Sequence, residues 1–283
     1  MTEALDLDRL RHWIGREHRS EDVITAALAA RFHATLQLPG APASSGEAAP
    51  ALIHLCLCQP AAATAELGGD GHPARGGFLP PVPLPRRMWA GSAIDFHAPL
   101  RVGDAVVKRS RIADVTAKSG RSGNLCFVTV DHEIGVGNAV AISERQTLVY
   151  REAAEAGAPA VPEPASLEAK VETVEASAPL LFRYSALTFN AHRIHYDLPY
   201  ATNEEHYPGL VVHGPLQATL LIDLAARRND GRPPDHFTFR GVHPAIGGRP
   251  LLLNAGALTD GSMDLFTAQP GGPLNMQATA RWR

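Results

Sequence analysis

The sequence is poor in cysteine, and this shortage argues against a disulfide-stabilised secreted domain. Three cysteines occur in 283 residues, which is too few for a disulfide framework. Cys56 and Cys58 are separated by a single residue, whereas a zinc site requires a two-residue gap and a second pair of ligands. We therefore expect Cys56, Cys58 and Cys126 to be small buried thiols in a reducing compartment.

A basic excess and long apolar runs are also missing. The formal net charge is −3 and the pI is about 6.5, so no broad positive field attracts nucleic acid or an anionic membrane. No stretch reaches the roughly 20 apolar residues that span a bilayer. The N-terminal segment carries charges throughout and lacks the apolar region of a secretory signal. These absences predict a cytoplasmic protein that binds neither nucleic acid nor membranes.

What is present is the composition of a globular protein, with 45% hydrophobic and 19% charged residues. The length allows one large domain or two of ordinary size. Residues 20–36 predict a helix with Ser20 as its N-cap. Residues 68–87 are so rich in glycine and proline that no regular element is expected there. A long loop of this kind often carries function or covers a site.

The remaining chain predicts two divergent copies of one α+β unit. β-branched runs separated by glycine turns predict antiparallel strands between Arg87 and Tyr150. The apolar segment that begins at Pro215 predicts a buried helix, with this proline in its first turn, and further strands follow it. Helical material therefore precedes strands in both halves. We predict an N-terminal unit at residues 1–152, an alanine-, glutamate- and proline-rich linker at residues 153–170, and a C-terminal unit at residues 171–283.

The segment FNAHRIHYDLPYA, residues 189–201, concentrates candidate functional side chains. His192 and His195 are three residues apart, a spacing that places two side chains on one face of a helix. The residues alone leave open an acid–base site, a metal site completed by His206 or His213, and buried structural histidines, with the metal site least favoured. No glycine-rich dinucleotide loop is present, which disfavours redox chemistry.

The stretch FRYSALTFNAHRIHYDLPYATNEEHYPGLVVHGPLQATLL, residues 182–221, resembles the active half of MaoC-like hydratases and dehydratases. The similarity is greatest to their type-2 hydroxyacyl-thioester dehydratase branch, which includes mesaconyl-C4-CoA and itaconyl-CoA hydratases. LPPVPLPRRMWAGS (79–92) and KSGRSGNLCFVTVDHEI (118–134) resemble the N-terminal half of the same branch. The resemblance implies an α+β double hot-dog fold, in which two curved antiparallel sheets each wrap a helix, and a hydro-lyase acting on acyl thioesters.

The resemblance also implies the roles of the motif residues. His195 occupies the family's histidine position, and the His213-Gly214 turn supplies a backbone N–H for the thioester oxygen. Asn190 stands where the wider family has aspartate. An amide does not act as a base, so we expect Asn190 to hold the water or to fix an imidazole. The proton transfer then falls more heavily on His195, or Asp197 or His192 assists it. The expected catalytic residues are His195, Asn190 and Gly214, with His213 contributing to substrate binding.

A substrate with a free carboxylate, such as a mesaconyl or itaconyl thioester, needs a cationic partner. Arg183 and Arg193 flank the motif and are the expected bidentate ligands. The N-terminal half offers an alternative, in which the carboxylate ligands or the lining of a CoA channel are Arg86, Arg87 and Trp89. A purely structural or solvent-exposed role also remains open for each arginine. No metal and no cofactor are expected, other than CoA as part of the substrate.

Three functions follow from these residues. The first is a CoA-thioester hydratase that converts a short branched dicarboxylate, itaconyl-CoA or mesaconyl-C4-CoA, to citramalyl-CoA. The second is the same chemistry on a 3-hydroxyacyl carrier protein or a general enoyl-CoA, which requires a long apolar tunnel rather than a short site with an arginine. The third is a non-catalytic thioester-binding subunit in which Asn190 marks a lost site. The first is preferred, and a homodimer is one expected assembly.

Overall fold

The computed structural model describes residues 5–120, 123–152, 163–167 and 171–283, and the fold in these ranges is α+β. The helices are α1 (Leu7–Arg11), α2 (Ala26–Leu36), α3 (Ala178–Leu187) and α4 (Gly214–Arg228). The strands are β1 (Glu17–Val23), β2 (Arg86–Phe96), β3 (Ala105–Gly120), β4 (Gly123–Val136), β5 (Ala139–Arg151), β6 (Val171–Glu175), β7 (His236–Gly241), β8 (Pro250–Ala255), β9 (Ser262–Ala268) and β10 (Leu274–Arg281). The linker predicted at residues 153–170 lies largely outside the described residues.

The strands form one antiparallel sheet in the order β1-β3-β4-β5-β2-β7-β10-β9-β8-β6. Each half has the same internal order, because β6-β8-β9-β10-β7 repeats β1-β3-β4-β5-β2. The halves join where β2 pairs with β7. Gly91 lies at this junction, and a Cβ there would be 2.2 Å from the carbonyl oxygen of Phe239. The two sheet edges therefore meet only because this position carries no side chain.

The C-terminal half wraps a long buried helix, as predicted. α4 contacts all four strands β7 to β10, and Pro215 lies in its first turn. Its residues from Leu216 to Ile222 are all buried, so its packing against the sheet dominates its stability. In the N-terminal half, the main neighbour of α2 is α3. Among the described residues, no helix of comparable length to α4 fills the bend of β2 to β5.

The helix predicted at residues 20–36 begins later than expected. Ser20 lies in the exposed edge strand β1, where it pairs with Lys108 of β3, and the N-cap is Thr25, whose Oγ1 accepts a hydrogen bond from Leu28 N at 3.0 Å. The prediction of Ser20 as N-cap is wrong because strand pairing overrides a weak local helical pattern. No helix among the described residues is long and apolar enough to cross a membrane.

Residues 68–87 have little regular structure, as predicted, except that Arg86 and Arg87 already belong to β2. We call residues 67–85 the cavity loop. The loop nevertheless is tied to the C-terminal half. Arg193 N donates to the carbonyl oxygen of Asp70 at 2.9 Å, and Arg193 Nη1 donates to the carbonyl oxygen of Gly69 at 2.9 Å. This connection brings a segment of the N-terminal half against the motif that contains His192 and His195.

Candidate active site

A cavity of about 1290 Å³ lies between the two halves. Its walls come from the cavity loop, from strands β2 to β5, from the segment that follows α3, and from the first turn of α4. Among the described residues, the longest helix of the N-terminal half is α2, with 11 residues against 15 in α4. The volume is large enough for a ligand of cofactor size.

His195 is buried at the cavity wall, at the end of a 3₁₀ turn formed by Arg193–His195. Its Nδ1 lies 2.7 Å from the carbonyl oxygen of Val211. A carbonyl oxygen only accepts hydrogen bonds, so Nδ1 carries the proton and Nε2 has the lone pair. Nε2 makes no hydrogen bond within the described residues and is not sealed from the cavity. Burial lowers the pKa of His195 to about 4, so the ring is a neutral base at pH 7.

Four imidazoles form a row through the site. The ring of His213 stacks on His195 with centroids 3.6 Å apart, and the ring of His192 meets His195 edge-on at 5.3 Å. On the far side of His192, the ring of His72 lies at 4.2 Å. Burial, and then the neighbouring histidines, holds the pKa of His213 well below its usual value. The row therefore consists of imidazoles whose neutral forms are favoured, which limits mutual repulsion.

The first histidine of this row, His72, comes from the cavity loop and was not predicted as a site residue. Its Nδ1 lies 2.9 Å from Asp70 Oδ2, and its backbone N–H donates to Asp70 Oδ1 at 3.0 Å. Burial alone would raise the pKa of Asp70, but the hydrogen bonds and charge of His72 outweigh it and lower that pKa below its usual range. The carboxylate therefore stays ionised and fixes the Nδ1–H tautomer of His72.

Gly71 explains why the loop approaches the motif so closely. It has a φ of +88°, and a Cβ at this position would lie 1.9 Å from the carbonyl oxygen of Ala191. Only glycine permits both the left-handed backbone and this contact. The sequence signal for His72 was therefore the glycine-rich loop itself, but nothing in the sequence showed which segment the loop contacts.

Gly214 is the first residue of α4 and lines the cavity. An N–H in the first helical turn has no partner inside the helix, and no acceptor among the described residues bonds to this one. The N-terminal end of α4 adds a partial positive charge at the same place. This arrangement suits an oxygen that becomes negative during a reaction. The predicted position just before a helix is thus confirmed to within one residue.

Asn190 lines the cavity, but its carbonyl oxygen is already engaged. Oδ1 accepts the backbone N–H of His192 at 2.9 Å and closes the turn that leads into the histidine segment. Of the two roles predicted for Asn190, holding the segment of an imidazole therefore has direct geometric support. The amide NH₂ group has no hydrogen bond within the parts of the chain that are described, and it is the part of the side chain left for the cavity.

The arginines that flank the motif do not reach the cavity, contrary to the expectation that they clamp a carboxylate. Arg193 forms an ion pair with Asp197 at 2.8 Å and lies over the ring of Tyr200 at 4.1 Å. Arg183 is exposed on α3. Closeness in sequence does not fix the direction of a side chain, and the i,i+4 spacing of Arg193 and Asp197 favours their pairing. Asp197 is therefore occupied as well, and His192 is the motif neighbour that contacts His195.

The cationic side chains on the cavity wall come from the N-terminal half instead. Arg86 is buried in an ion pair with Glu205, 2.6 Å away. Arg87 lines the cavity and has no ion pair with any described carboxylate. Burial is the main cause that lowers the pKa of His72, and the positive charge of Arg87 adds to it. Trp89 also lines the cavity, where its Nε1 donates to the Ser92 hydroxyl at 3.0 Å.

Further polar side chains line the N-terminal part of the cavity. Lys108, His132 and Gln146 all contribute to the wall, and His132 bonds to the Ser110 hydroxyl at 2.7 Å. Burial lowers the pKa of His132 to about 4.

Asp70, His72 and His192 also offer donor atoms within 4.8 Å of one another, a set that divalent cations accept. In the structure, however, both oxygens of Asp70 accept hydrogen bonds from His72, and Nδ1 of His72 is used in one of them. A catalytic zinc usually takes three protein ligands. The geometry therefore favours a hydrogen-bonded Asp–His pair over a metal centre.

Comparison with known proteins gives consistent results. The profile of the family described as hydroxyacyl-thioester dehydratase type 2 matches residues 51–247. The chain is 47% identical over 273 residues to mesaconyl-C(4)-CoA hydratase of Chloroflexus aurantiacus, covering 94% of this chain and 95% of that protein.

Solved structures agree with the fold. The crystal structure of HtdX from Mycobacterium tuberculosis superimposes with a TM-score of 0.68 at 23% identity, covering 95% of this chain and 100% of that one. A conserved hypothetical protein of the same organism, described as having a double hot-dog fold, superimposes with a TM-score of 0.56 at 13% identity, covering 95% and 96% of the two chains. These similarities confirm the double hot-dog fold.

Proposed function

Because the chain belongs to the hydroxyacyl-thioester dehydratase type 2 family, we propose that it is a hydratase that adds water to mesaconyl-C4-CoA and forms citramalyl-CoA. It is a hydro-lyase of the enoyl-thioester hydratase and dehydratase class. The observation that carries the choice of substrate is the 47% identity to a mesaconyl-C(4)-CoA hydratase over nearly the full length of both chains. Itaconyl-CoA is an alternative dicarboxylate substrate.

The site offers the groups that this hydration requires. Water must lose a proton as its oxygen attacks the β-carbon, the α-carbon must gain one, and the enolate oxygen must be held. His195, neutral and with its Nε2 lone pair open to the cavity, is our proposed acid–base residue. The N–H of Gly214 at the start of α4 is our proposed donor to the thioester oxygen.

We assign the substrate carboxylate to Arg87. In mesaconyl-C4-CoA the free carboxylate is attached to the β-carbon, so its partner must lie close to the proton-transfer groups. Arg87 lines the cavity without a described carboxylate partner, and its charge influences both His72 and His192. A guanidinium can bind a carboxylate through two parallel hydrogen bonds.

The test follows the enoyl-thioester absorbance with purified protein. Wild type should consume mesaconyl-C4-CoA, and His195→Ala should be at least 10²-fold slower, as expected when a general acid–base group is removed. Arg87→Gln should lower kcat/KM for mesaconyl-C4-CoA by about 10- to 100-fold, because a hydrogen bond to a charged group contributes roughly 1.5–3 kcal/mol. The same variant should change little on crotonyl-CoA, which has no carboxylate.

Arg183→Gln is the matched control, since Arg183 is exposed and is not among the residues that line the cavity. It should behave as wild type on both substrates. A wild-type preference for crotonyl-CoA or for a long acyl carrier protein substrate would contradict the dicarboxylate assignment. Equal losses for Arg87→Gln on both substrates would contradict the role of Arg87. A cytoplasmic location and a homodimer stay predictions of the sequence, and light scattering of the purified protein tests the second.

A further inference from the structure

We propose that the Asp70–His72 pair of the cavity loop is a second catalytic acid–base group, which takes the proton from the attacking water. This inference rests on the proposed hydratase function and assigns a residue that the motif does not contain. Its starting observation is the hydrogen bond of 2.9 Å between His72 Nδ1 and Asp70 Oδ2, next to the ring of His192.

The chemistry needs a second group because the motif supplies only one defined base. Asn190 does not accept a proton, and its Oδ1 is bonded to the His192 backbone. Asp197 is paired with Arg193 and does not line the cavity. His195 has one lone pair, on Nε2, and no proton there to donate. One imidazole in this state can assist water or the α-carbon, but it cannot serve both ends of the double bond at the same time.

His72 has the features of an oriented base. Asp70 accepts from Nδ1 and thereby fixes the tautomer with a lone pair on Nε2, the same logic by which a carboxylate orients a catalytic histidine. Nε2 has no hydrogen bond to any described residue and is accessible to solvent. His72 lines the cavity, and its side chain is 22% exposed. When Nε2 gains a proton, the adjacent carboxylate stabilises the resulting imidazolium.

The order of groups along the histidine row assigns the two proton transfers. The thioester oxygen at the N–H of Gly214 lies at the His213 end of the row, where His195 stacks on His213. The α-carbon is nearer to this oxygen than the β-carbon is, so the α-carbon faces His195. The β-carbon then points towards His72, which lies beyond His192 and whose pKa is lowered by burial and by the positive charge of Arg87. This places the water and the carboxylate of the substrate at the same end.

The reaction balances with all three histidines neutral at the start. His72 Nε2 takes one proton from water while the water oxygen bonds to the β-carbon and the π electrons move to the thioester oxygen. The enolate oxygen is held by Gly214 N–H. The proton then passes from His72 through His192 to His195 Nε2 and on to the α-carbon, which restores the thioester carbonyl. One ring nitrogen of His72 and one of His192 lie within 4.8 Å of each other, and a single water molecule can bridge a gap of this size.

The proton affinity of His72 depends on the groups that surround it. Burial is the main effect that lowers the pKa of His72, and the positive charges of Arg87 and Arg75 add to it, whereas Asp70 favours the charged ring. An anionic substrate bound at Arg87 would offset that positive charge and raise the pKa of His72. The base therefore becomes stronger once the carboxylate of the substrate is in place, which couples binding to water activation.

The experiment separates the two proton transfers. His72→Asn keeps an amide N–H for Asp70 but removes the base, and it should lower kcat for mesaconyl-C4-CoA hydration by at least 10²-fold. The same variant should still exchange the α-hydrogens of the saturated analogue methylsuccinyl-C4-CoA with deuterium in D₂O, because that step needs only His195 and Gly214. His195→Ala should lose both reactions.

The matched control is His236→Asn. His236 makes the same kind of bond, from Nδ1 to Asp95 Oδ1 at 2.9 Å, but it lies outside the cavity. This variant should hydrate at the wild-type rate. A wild-type rate for His72→Asn, or loss of both hydration and α-hydrogen exchange, would overturn the assignment. One bound metal ion per chain whose removal by a chelator abolishes hydration would also overturn it in favour of a metal centre.

Two measurements separate this inference from the choice of substrate. If wild type hydrates crotonyl-CoA but not mesaconyl-C4-CoA, the proposed substrate fails, and the His72→Asn and His236→Asn comparison is made on crotonyl-CoA. If no thioester is hydrated, ¹⁵N NMR of the His72 ring decides independently of turnover. A proton on Nδ1 and a lone pair on Nε2 support an oriented base, and the opposite tautomer refutes it.

Discussion

Gly71→Ala should disconnect the cavity loop from the active site, because this residue is where the loop approaches the motif most closely. The added Cβ would lie 1.9 Å from the carbonyl oxygen of Ala191, whereas real Cβ contacts below 3.0 Å are essentially never seen. The loop or the carbonyl must therefore move by roughly 1 Å. This movement strains the bond of 2.9 Å between Arg193 N and the Asp70 carbonyl, and it shifts His72 relative to His192.

The expected magnitudes follow from two separable effects. An alanine at the φ of +88° found for Gly71 costs about 1–2 kcal/mol of folding free energy, because the left-handed region places Cβ too close to the backbone carbonyl. A misplacement of catalytic groups by 1 Å can cost about 10²-fold in rate. Gly71→Ala should therefore lower both the free energy of unfolding and kcat, and the loss of kcat should resemble that of His72→Asn.

Gly76→Ala is the control that separates backbone strain from the contact. Gly76 lies in the same loop with a φ of +89°, but the nearest atom to its added Cβ is Pro81 Cβ at 3.6 Å, an ordinary contact. Denaturant unfolding and steady-state hydration of both variants provide the assay. A larger loss of stability in Gly71→Ala than in Gly76→Ala, with a loss of kcat only in Gly71→Ala, would support the contact. Equal kcat values in the two variants would refute it.

Two further predictions address the oxygen-binding group and the buried histidines. Gly214→Pro removes the N–H at a helix position that tolerates proline, so kcat should fall roughly 10²-fold. Gly214→Ala keeps the N–H, and its added Cβ meets Met276 Cε only at 3.7 Å. This second variant should therefore stay within a few-fold of wild type in the same hydration assay. Stability should fall as the pH is lowered from 6.5 towards 4, because burial lowers the pKa of His195 and His132 to about 4 and only the unfolded chain binds protons in that window. Each of these two histidines should lower the free energy of unfolding by about 2 kcal/mol at pH 5 relative to pH 7.5. Equal free energies of unfolding in urea at the two pH values would contradict this.

Local sequence signals predicted the C-terminal part of the site. His195, Gly214 and α4 lie within one segment whose spacing, proline and apolar pattern are all local, and the structure places them as neighbours. Short-range signals were also the source of error. Arg183 and Arg193 are close to His195 in the sequence. Arg183, however, is exposed to solvent on α3, and Arg193 is paired with Asp197. Proximity in sequence predicts position in space only where the direction of the side chain is also fixed.

The contribution of the N-terminal half could not be predicted residue by residue. His72 is separated from His192 by 120 positions, and the contact depends on an irregular loop whose course no periodicity encodes. Its glycine content indicated only that the backbone adopts unusual conformations. The edge strand β1 was missed for a similar reason, since its residues are mostly exposed and pairing with β3 determines its structure.

The two halves of the fold have diverged in complementary ways. The C-terminal half keeps a long helix whose first N–H group faces the cavity, together with the motif that holds His195. The N-terminal half has no helix of comparable length against its strands in the described ranges, and the resulting space is lined by Arg87 and by His72 with its partner Asp70. In the proposed mechanism, Asp70 supplies a carboxylate at the β-carbon end of the substrate, opposite the helix terminus that would bind the thioester oxygen. The positive charge that develops on His72 and the negative charge that develops on the oxygen would then each be stabilised by a different group.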